Sequence, residues 1–426
     1  MRVLGMISGT SHDGIDVAVV DFSLAAATGS GTGSGTGADQ KLVGRIEYAG
    51  SVPYHPQLRR RLIGALPPAL PGLAAACELD TSIGQAFADA AAGAVAALGA
   101  GRPDLICSHG QTVYHWTAGG HARGTLQLGQ PAWIAEATGL PVVSDVRAAD
   151  IAAGGEGAPL VPVLDRMLLE PYRAAGIRAG ALNLGGIANI TVCAPGDAPA
   201  AWDIGPANAL IDAVVTAAPT AADTFDRDGG LAAAGTVIPA LLAELLAEPY
   251  YTLPPPKSSG KELFHLAYVR EALARAGTSP ELPDLVATLT ELTAVTVAAA
   301  VSQAGVQVLA AAGGGVRNPV LMRRIAELLP GVETLTTGRL GVPADAKEAI
   351  AFALIGWATA HGLPGNVPSC TGAAGPRVLG RVTPAPDGRL PRAGHLAAWP
   401  GGLSITGPAG QVDADSRGST GRGDAR

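Results

Sequence analysis

Two segments of the chain carry the same local pattern, in which an apolar run, a glycine-bearing turn and a second apolar run follow each other. They are RVLGMISGTSHDGIDVAVVDF at residues 2–22 and ALNLGGIANITVCA at residues 181–194. This pattern predicts a β-hairpin with a glycine turn. Alternating strand and helix patterns follow both hairpins, which predicts an α/β fold. The sequence therefore predicts a duplicated, two-lobed fold with a central cleft, in which two glycine turns face each other and hold a polyphosphate.

Length and charge narrow the class of protein. A chain of 426 residues is longer than one compact core usually holds, so two domains are expected. The formal net charge is −7 and aromatic residues make up 4% of the chain, which argues against a nucleic-acid partner. A small anionic ligand remains compatible with this charge, because backbone amides can hold phosphate locally.

Cysteine spacing and hydropathy indicate the compartment. Cys77, Cys107, Cys193 and Cys370 are far apart and form no C-x-x-C pair, which argues against a zinc cluster and against a disulfide framework. The chain shows neither a signal peptide at its first residues nor a run of eighteen uncharged apolar residues. We therefore expect a cytoplasmic protein with no membrane partner.

The turn of the first hairpin is a candidate phosphate loop. Glycines allow successive backbone N–H groups in Ser8–Asp16 to point at a ligand, and hydroxyls add donors. Asp13 or Asp16 can hold Mg²⁺ directly or through water. An ordinary hairpin turn is the commoner meaning of such residues in isolation. The segment lacks the G-x-x-x-x-G-K-[ST] pattern of a Walker A loop.

Asp203 is a candidate general base. It stands at the end of an apolar strand before a Gly-Pro turn, in WDIGPAN. Phosphoryl transfer needs a group there that orients and deprotonates the attacking oxygen. The alternative is an Asp that caps the helix starting at Ala209, and the motif in isolation favours neither.

Polar side chains stand at the ends of two further predicted strands. His109 and Gln111 in SHGQT suit contacts to a sugar hydroxyl or acetamido group, although a structural histidine fits equally well. Asp145 and Arg147 in SDVR can bind hydroxyls and a carboxylate, although an ordinary ion pair is the commoner local reading. The following GGEGAP run is consistent with a hinge. The G-x-S-x-G pattern of hydrolases is absent from the sequence.

Two glycine-rich segments complete the candidates. Gly313–Gly315 after a buried strand allow close approach of a flat ring or a phosphate, or simply form a tight strand-to-helix turn. Asn318 is expected to cap the next helix. Lys257 and Lys261 lie in PPPKSSGKELF, which is either a loop that closes on a nucleotide or, more commonly, a plain solvated loop.

Taken in order, these motifs resemble those of the anhydro-N-acetylmuramic acid kinase family. The resemblance covers about residues 1–382, and its most specific parts are residues 145–162 and the closing LPGNVPSCTGAAGPRVLG. It implies an actin-like ATPase fold shared with sugar kinases, built from duplicated ribonuclease-H-like domains. We expect an N-terminal lobe at 1–147 plus 364–384, a C-terminal lobe at 148–363, and a largely disordered tail at 385–426.

The resemblance also implies the reaction. An aspartate activates a water that opens the anhydro bridge of 1,6-anhydro-N-acetylmuramic acid, and the freed 6-hydroxyl takes the γ-phosphoryl group of ATP. The product is N-acetylmuramic acid 6-phosphate, made during peptidoglycan recycling. ATP and Mg²⁺ are the expected cofactors, the amino sugar is the expected partner, and a homodimer is implied.

The resemblance assigns roles residue by residue. Asp203 matches the catalytic base, and Glu348 matches a glutamate that assists at the sugar. The expected ATP-binding residues are Gly9, Thr10, Ser11, His12, Asp13, Gly14, Ile15, Asp16, Gly185, Gly186, Gly313, Gly314 and Gly315. The expected substrate-binding residues are His109, Gln111, Asp145, Arg147, Gly205 and Asn208. Metal ligands stay unassigned. His12 stands where the family has Leu, and Ala207 gives GPAN in place of GPGN.

Two alternatives stay open at this point. One is a kinase for another sugar or acid on the same fold. The other is an actin-like ATP-binding protein without metabolic catalysis, such as an assembly or chaperone module. An intact Asp203 and the lack of a recognisable peptide-binding or polymer-contact segment favour the kinase.

Overall fold

The structure, a computed structural model, describes residues 1–25, 40–69, 71–99, 101–218, 223–260 and 263–407. The glycine-rich insert at 28–38, Lys261 and residues 408–426 of the expected tail lie outside the described residues. The chain divides into two compact units. Unit 1 consists of Met1–Leu168 with Gly338–Arg426, and unit 2 consists of Leu169–Thr337.

The described residues form strands and helices in alternation. The strands are β1 Arg2–Ser8, β2 Gly14–Ala25, β3 Lys41–Pro53, β4 Leu105–Ala118, β5 His121–Leu128, β6 Val142–Ser144, β7 Ala179–Leu184, β8 Ile187–Cys193, β9 Ala200–Pro206, β10 Val308–Ala312, β11 Glu333–Thr336, β12 Arg381–Thr383 and β13 Leu403–Thr406. The helices are α1 Pro56–Gly64, α2 Leu73–Ala97, α3 Pro131–Thr138, α4 Ala148–Ala152, α5 Pro162–Ala174, α6 Asn208–Ala217, α7 Gly230–Ala234, α8 Pro239–Leu246, α9 Leu266–Ala276, α10 Leu282–Gln303, α11 Pro319–Leu328, α12 Lys347–Ala360 and α13 Pro368–Thr371.

The two sheets repeat one strand order. In unit 1 the order is β12-β6-β4-β1-β2-β3-β13, with β5 paired to β4, and in unit 2 it is β11-β10-β7-β8-β9. In each unit three strands form an antiparallel meander, and the next two strands of the sheet run parallel to the first of them. This is the ribonuclease-H-like arrangement, present twice. The predicted α/β fold with two ribonuclease-H-like domains and both predicted hairpins are confirmed.

Small residues set the distance between α12 and the sheet of unit 1. A Cβ at Gly5 of β1 would lie 2.0 Å from the carbonyl oxygen of Ala349, and one at Gly356 would lie 2.6 Å from Cβ of Cys107. Such distances exclude any side chain, so helix and strand backbones touch. The first turn of α12, which carries Glu348, is thereby held at the sheet.

Helix α2 covers the opposite side of the core of unit 1 and differs from its predicted bounds. Asp80, followed by Thr-Ser-Ile, has the composition of a helix cap and predicts a start there. Helix α2 instead begins at Leu73 after Gly72, because the alanine-rich run continues the helix toward the N-terminus. Asp80 instead accepts a hydrogen bond from the backbone N–H of Gly129 at 2.7 Å. In unit 2 the predicted cap is confirmed, since Asn318 accepts from Val320 N and Leu321 N at the start of α11.

Helix α10 is the central helix of unit 2. Its length and composition would suffice to cross a membrane, but 67% of its most apolar window is buried inside the protein. Buried side chains of α10 belong to both apolar clusters of the unit. These properties are those of a core helix.

The two compact units have bounds that differ from those expected for the lobes. Residues 148–168 belong to unit 1, because the side chain of Asp150 is bonded to Asn366 and Thr371. Residues 338–363 also belong to unit 1, because α12 packs on β1.

The described part of the expected tail is ordered: Leu403–Thr406 pairs in parallel with β3, and Trp399 Nε1 donates to Pro364 O at 3.0 Å. The four-residue strand is too short to stand out in a glycine- and proline-rich segment.

Candidate functional site

Gln111 of β4 holds the turn between β1 and β2 through hydrogen bonds. The hydroxyl oxygen of Ser8 is buried and lies 2.6 Å from Oε1 of Gln111 and 2.7 Å from the carbonyl oxygen of Gly14. Nε2 of Gln111 donates to Gly9 O at 3.4 Å. Gln111, which the sequence suggested as a sugar contact, thus supports the turn in this structure.

The same turn contains a residue in a left-handed conformation. His12 has a φ of 54°, and its N–H donates to the carbonyl oxygen of Gly9 at 3.3 Å. Arg59 of α1 donates from Nε to the carbonyl oxygen of His12 at 2.9 Å, and Ser11 donates to Asp13. A non-glycine residue at positive φ persists only where its surroundings hold it, so this turn is a preformed feature.

Two carboxylates lie beside the turn. A Cβ added at Gly9 would be 4.0 Å from Oε2 of Glu348, which places this glutamate next to the turn. Burial raises the pKa of Glu348, the charge of Asp16 adds to the rise, and Lys347 and Arg147 oppose it. Burial also raises the pKa of Asp16. These carboxyl groups therefore hold protons at higher pH than exposed ones, which suits proton exchange.

His109, which is buried, forms a pair with the partly buried Arg147. Nδ1 of His109 lies 2.9 Å from Gly110 O, and Nε of Arg147 donates to Nε2 of His109 at 2.7 Å. The network assigns a neutral ring with the proton on Nδ1, because Nε2 must accept. Burial lowers the pKa of His109 well below its usual value, and Arg147 lowers it further. The ring also packs on Phe352, with centroids 4.8 Å apart.

The buried carboxylate of Asp150 links the two most specific motifs, residues 145–162 and residues 363–380. Oδ1 of Asp150 accepts from Nδ2 of Asn366 and from Oγ1 of Thr371, each at 2.7 Å, and Oδ2 accepts from Gly157 N at 2.8 Å. Arg147 donates from Nη1 to Gly157 O at 2.7 Å. Burial lowers the pKa of Arg147 to about 10. Sequence reasoning missed this role of Asp150, although both partners lie in motifs that it singled out.

Two ion pairs involve residues close in sequence to Arg147 and Glu348. Asp145, with a φ of 54°, lies 2.8 Å from Nη2 of the exposed Arg381. Nζ of Lys347 lies 2.7 Å from Oδ1 of Asp165, and both side chains are buried. The Lys347 pair fixes the residue immediately before Glu348.

In unit 2, the GPAN turn at residues 205–208 is hydrogen-bonded to the LGG turn at residues 184–186. Nδ2 of Asn208 donates to Leu184 O at 3.0 Å and to Gly185 O at 2.9 Å, and Ala207 N donates to Gly186 O at 2.9 Å. Ala207 has a φ of −113° and is buried. The backbone there needs no glycine, so the methyl group of this departure from the family is accommodated.

The Gly313–Gly315 segment lies against the end of β7. A Cβ at Gly313, whose φ is 84°, would lie 2.6 Å from Oδ1 of Asn183, and one at Gly315 would lie 2.6 Å from Cβ of Leu184. A Cβ at Gly314 would meet nothing within 4 Å. Gly313 and Gly315 are thus required for packing, and the open side at Gly314 leaves room for a ligand.

Asp203 is held by the Pro249–Thr252 turn and by the loop that follows it. Its N–H donates to Lys257 O at 3.0 Å, and its carbonyl oxygen accepts from Tyr250 OH at 2.8 Å. Oδ2 of its carboxylate accepts from Oγ of Ser258 at 3.1 Å and from Ser259 N at 3.0 Å. The carboxylate is partly exposed and fixed in direction.

Lys257 fastens this loop rather than extending into solvent. Its Nζ donates to the carbonyl oxygens of Tyr250 and Tyr251 at 3.0 and 3.2 Å and lies 4.6 Å from the ring centre of Tyr250. Burial lowers the pKa of Lys257. A Cβ at Gly205 would lie 2.8 Å from the ring of Tyr251, so this glycine makes room for the same loop. The expectation of a plain solvated loop is wrong for Lys257.

Within the described ranges, three or more His, Cys, Asp or Glu side chains nowhere gather as a metal site.

A cavity of about 350 Å³ lies against α1 and α2, lined by Arg61, Gly64, Ala65, Ala69, Pro71, Ala75 and Leu79. Its lining is mostly small and apolar and includes none of the predicted site residues.

Comparison with known proteins decides the family. A model of the anhydro-N-acetylmuramic acid kinase family matches residues 1–385. The chain belongs to this family. An anhydro-N-acetylmuramic acid kinase of Streptomyces coelicolor is 51% identical over 408 residues, which are 94% of this chain and 100% of that relative. One of Rhodococcus erythropolis is 48% identical over 95% of this chain and 99% of that relative.

Among solved structures, a ROK family glucokinase from Streptomyces griseus, in complex with glucose and AMPPNP, is similar to the chain. It is 15% identical, with a TM-score of 0.32 over 83% of this chain and 98% of that one. Such a score is too low to carry an argument. The fold assignment therefore rests on the repeated strand order.

Proposed function

We propose that this anhydro-N-acetylmuramic acid kinase family member is an ATP-dependent phosphotransferase with an alcohol acceptor. It opens 1,6-anhydro-N-acetylmuramic acid with water and phosphorylates the 6-hydroxyl, giving N-acetylmuramic acid 6-phosphate and ADP. The reaction serves peptidoglycan recycling and amino sugar catabolism. The observation that carries the proposal is the match of 51% identity over the whole length of a relative with this name.

The chemistry assigns Asp203 one proton transfer. A water oxygen bonds to the anomeric carbon, the bond between that carbon and the bridging O6 breaks, and the water proton moves to the Asp203 carboxylate. O6 then bonds to the γ-phosphorus of ATP, and ADP leaves. A carboxylate whose Oδ2 accepts two hydrogen bonds keeps its direction, which supports its role as a general base.

Residues of unit 1 supply sugar contacts in this proposal. The guanidinium of Arg147 is held by neutral His109 and by Gly157 O, so its remaining N–H groups have a fixed direction. A planar guanidinium of this kind suits the lactyl carboxylate of the muramyl group. Glu348 assists at the sugar, since burial raises its pKa and it therefore holds a proton at higher pH than an exposed glutamate does.

Three glycine-bearing turns supply the ATP contacts. The Gly9–Asp16 turn and the Gly185–Gly186 turn present backbone amides to phosphate, and Gly314 offers open space beside the chain. Mg²⁺ accompanies ATP and supplies charge neutralisation at the phosphates. Mg²⁺ is commonly bound by one or two carboxylates plus phosphate oxygens and waters, which the oxygen donors of Asp13 and Asp16 fit without a larger cluster.

A cytoplasmic location and a homodimer belong to the same proposal. The proposed reaction consumes ATP, which cells hold in the cytoplasm, and this supports the location. Size-exclusion chromatography with light scattering at several concentrations tests the dimer. A mass of one chain at every concentration would contradict it.

Purified protein with Mg·ATP and the anhydro sugar, analysed by mass spectrometry, tests the function. We expect N-acetylmuramic acid 6-phosphate and ADP in equal amounts, and neither product with Asp203→Asn. ADP formed with other sugars but not with this one would overturn the substrate. Absence of turnover with any sugar would favour the ATP-binding protein without metabolic catalysis.

A further inference from the structure

The segment from Tyr250 to Ser259 contacts Asp203 on three sides. The hydroxyl of Tyr250 donates to the carbonyl oxygen of Asp203 at 2.8 Å, and the N–H of Asp203 donates to Lys257 O at 3.0 Å. Two further donors, Oγ of Ser258 and N of Ser259, bind Oδ2 of Asp203. Lys257 closes the segment on itself by donating to Tyr250 O and Tyr251 O. The backbone and the carboxylate of Asp203 therefore take their position from this segment and not from β9 alone.

We infer that Ser258 is a positioning residue for Asp203 and that its hydroxyl orients the carboxylate toward the attacking water. The inference rests on the proposed function and deepens it. Oγ of Ser258 donates to Oδ2 at 3.1 Å. Ser258 is exposed, so the bond is made at the surface of the site, and replacing the side chain leaves the core of unit 2 intact.

The neighbouring serine provides a matched control. Ser259 reaches the same Oδ2 through its backbone N–H at 3.0 Å, which a change of side chain preserves. Within the described chain, its own Oγ is buried without a hydrogen-bond partner. The same substitution at two adjacent serines therefore removes a donor to the carboxylate in one case only. Ser258→Ala removes it, and Ser259→Ala does not.

The physical effect of losing one donor is specific. A hydrogen bond to a carboxylate stabilises its ionised form, so its loss makes the carboxylate harder to ionise. Ser258→Ala then moves the acid limb of kcat/KM for the sugar to higher pH. We expect kcat at neutral pH to fall about tenfold, the size typical for one hydrogen bond to a charged group, with KM for ATP unchanged. Ser258→Thr keeps a hydroxyl and restores most of the activity.

The experiment measures kcat/KM against pH for wild type, Ser258→Ala, Ser258→Thr and Ser259→Ala, with thermal unfolding of each. We expect an altered pH profile and a lowered kcat for Ser258→Ala alone, at an unfolding temperature equal to that of wild type. Identical profiles for both alanine variants, beside an active wild type and an inactive Asp203→Asn, would overturn the inference and leave the proposed function intact. An inactive wild type would overturn both.

Discussion

Arg147 donates from Nε to Nε2 of His109 at 2.7 Å, and this bond fixes the protonation state of a buried imidazole. A protonated His109 would place a donor against a donor and a positive charge against a guanidinium. The pair therefore works only with a neutral ring, which agrees with the lowered pKa of His109. Its most direct consequence is a dependence of stability on pH.

The first prediction concerns acid destabilisation. The pKa of His109 is lowered in the folded state, so below the ordinary value of about 6.5 the unfolded chain binds a proton that the folded protein does not. Stability from this group is present above that pH and is lost as the pH falls below it, at up to about 1.4 kcal/mol per pH unit. His109→Gln keeps an acceptor for Arg147 and does not titrate.

Urea unfolding of wild type and His109→Gln between pH 7.5 and 5 measures this effect. The variant should lose less stability over the range than wild type. Equal slopes for both proteins would contradict the neutral assignment of His109.

The second prediction concerns Asp150, which joins residues 147–157 to residues 366–371. Thr371→Val removes one donor and leaves Oδ1 of Asp150 with Asn366. We expect a loss of about 1–3 kcal/mol in the free energy of unfolding, because a buried charged acceptor loses a partner. Thr371→Ser keeps the hydroxyl and serves as the control. A loss as large in the Ser variant as in the Val variant would show that packing, and not the hydrogen bond, stabilises this junction.

The third prediction concerns the contact between α12 and β1. Gly5→Ala would place Cβ 2.0 Å from Ala349 O, so helix and strand must separate. We expect a loss of more than about 3 kcal/mol, or failure to fold. Gly93→Ala is the control, because Gly93 is exposed in α2 with nothing within 4 Å of an added Cβ, and a helical Gly→Ala change stabilises by about 1 kcal/mol. Similar melting temperatures for the two variants would contradict the close packing.

The fourth prediction concerns Arg59, which donates to the carbonyl oxygen of His12 in the proposed phosphate turn. Arg59→Ala loosens the turn and should raise KM for ATP about threefold to tenfold, the range for one exposed charged hydrogen bond, with KM for the sugar unchanged. Arg60→Ala is the control, because the side chain of Arg60 is exposed and, in the part of the chain that the structure describes, forms no hydrogen bond or ion pair. An equal rise in both variants would indicate a loss of general positive charge rather than of the turn contact.

Local patterns were sufficient for the elements of the fold. The alternation of apolar residues around SGTSHDG and LGGIAN predicted the hairpins β1–β2 and β7–β8, and Asn318 before Pro319 predicted the cap of α11. Such features depend on neighbours in the sequence. The start of α2 was misjudged because Asp80 has the composition of a cap while its actual partner, Gly129 N, lies 49 residues away.

The supports of the site could not be predicted, because their partners are distant in sequence. Asp150 binds residues 216 and 221 positions away, and Ser258 binds Asp203 across 55 positions. Gln111 and Asn208 look like ligand-binding residues in a sequence, yet here each supports a turn. The roles assigned to the site residues in binding and catalysis, and the cleft expected between the lobes, stay predictions.

The reaction in water labelled with ¹⁸O tests the central claim most directly, namely that Asp203 directs water to the anomeric carbon. The protein is incubated with Mg·ATP and 1,6-anhydro-N-acetylmuramic acid, and products are analysed at early times beside unlabelled product kept in the same water to correct for exchange. The account predicts one ¹⁸O at the anomeric position, none in the transferred phosphoryl group, and no labelled sugar with Asp203→Asn. Label in phosphate, or sugar phosphate formed without label, would contradict it.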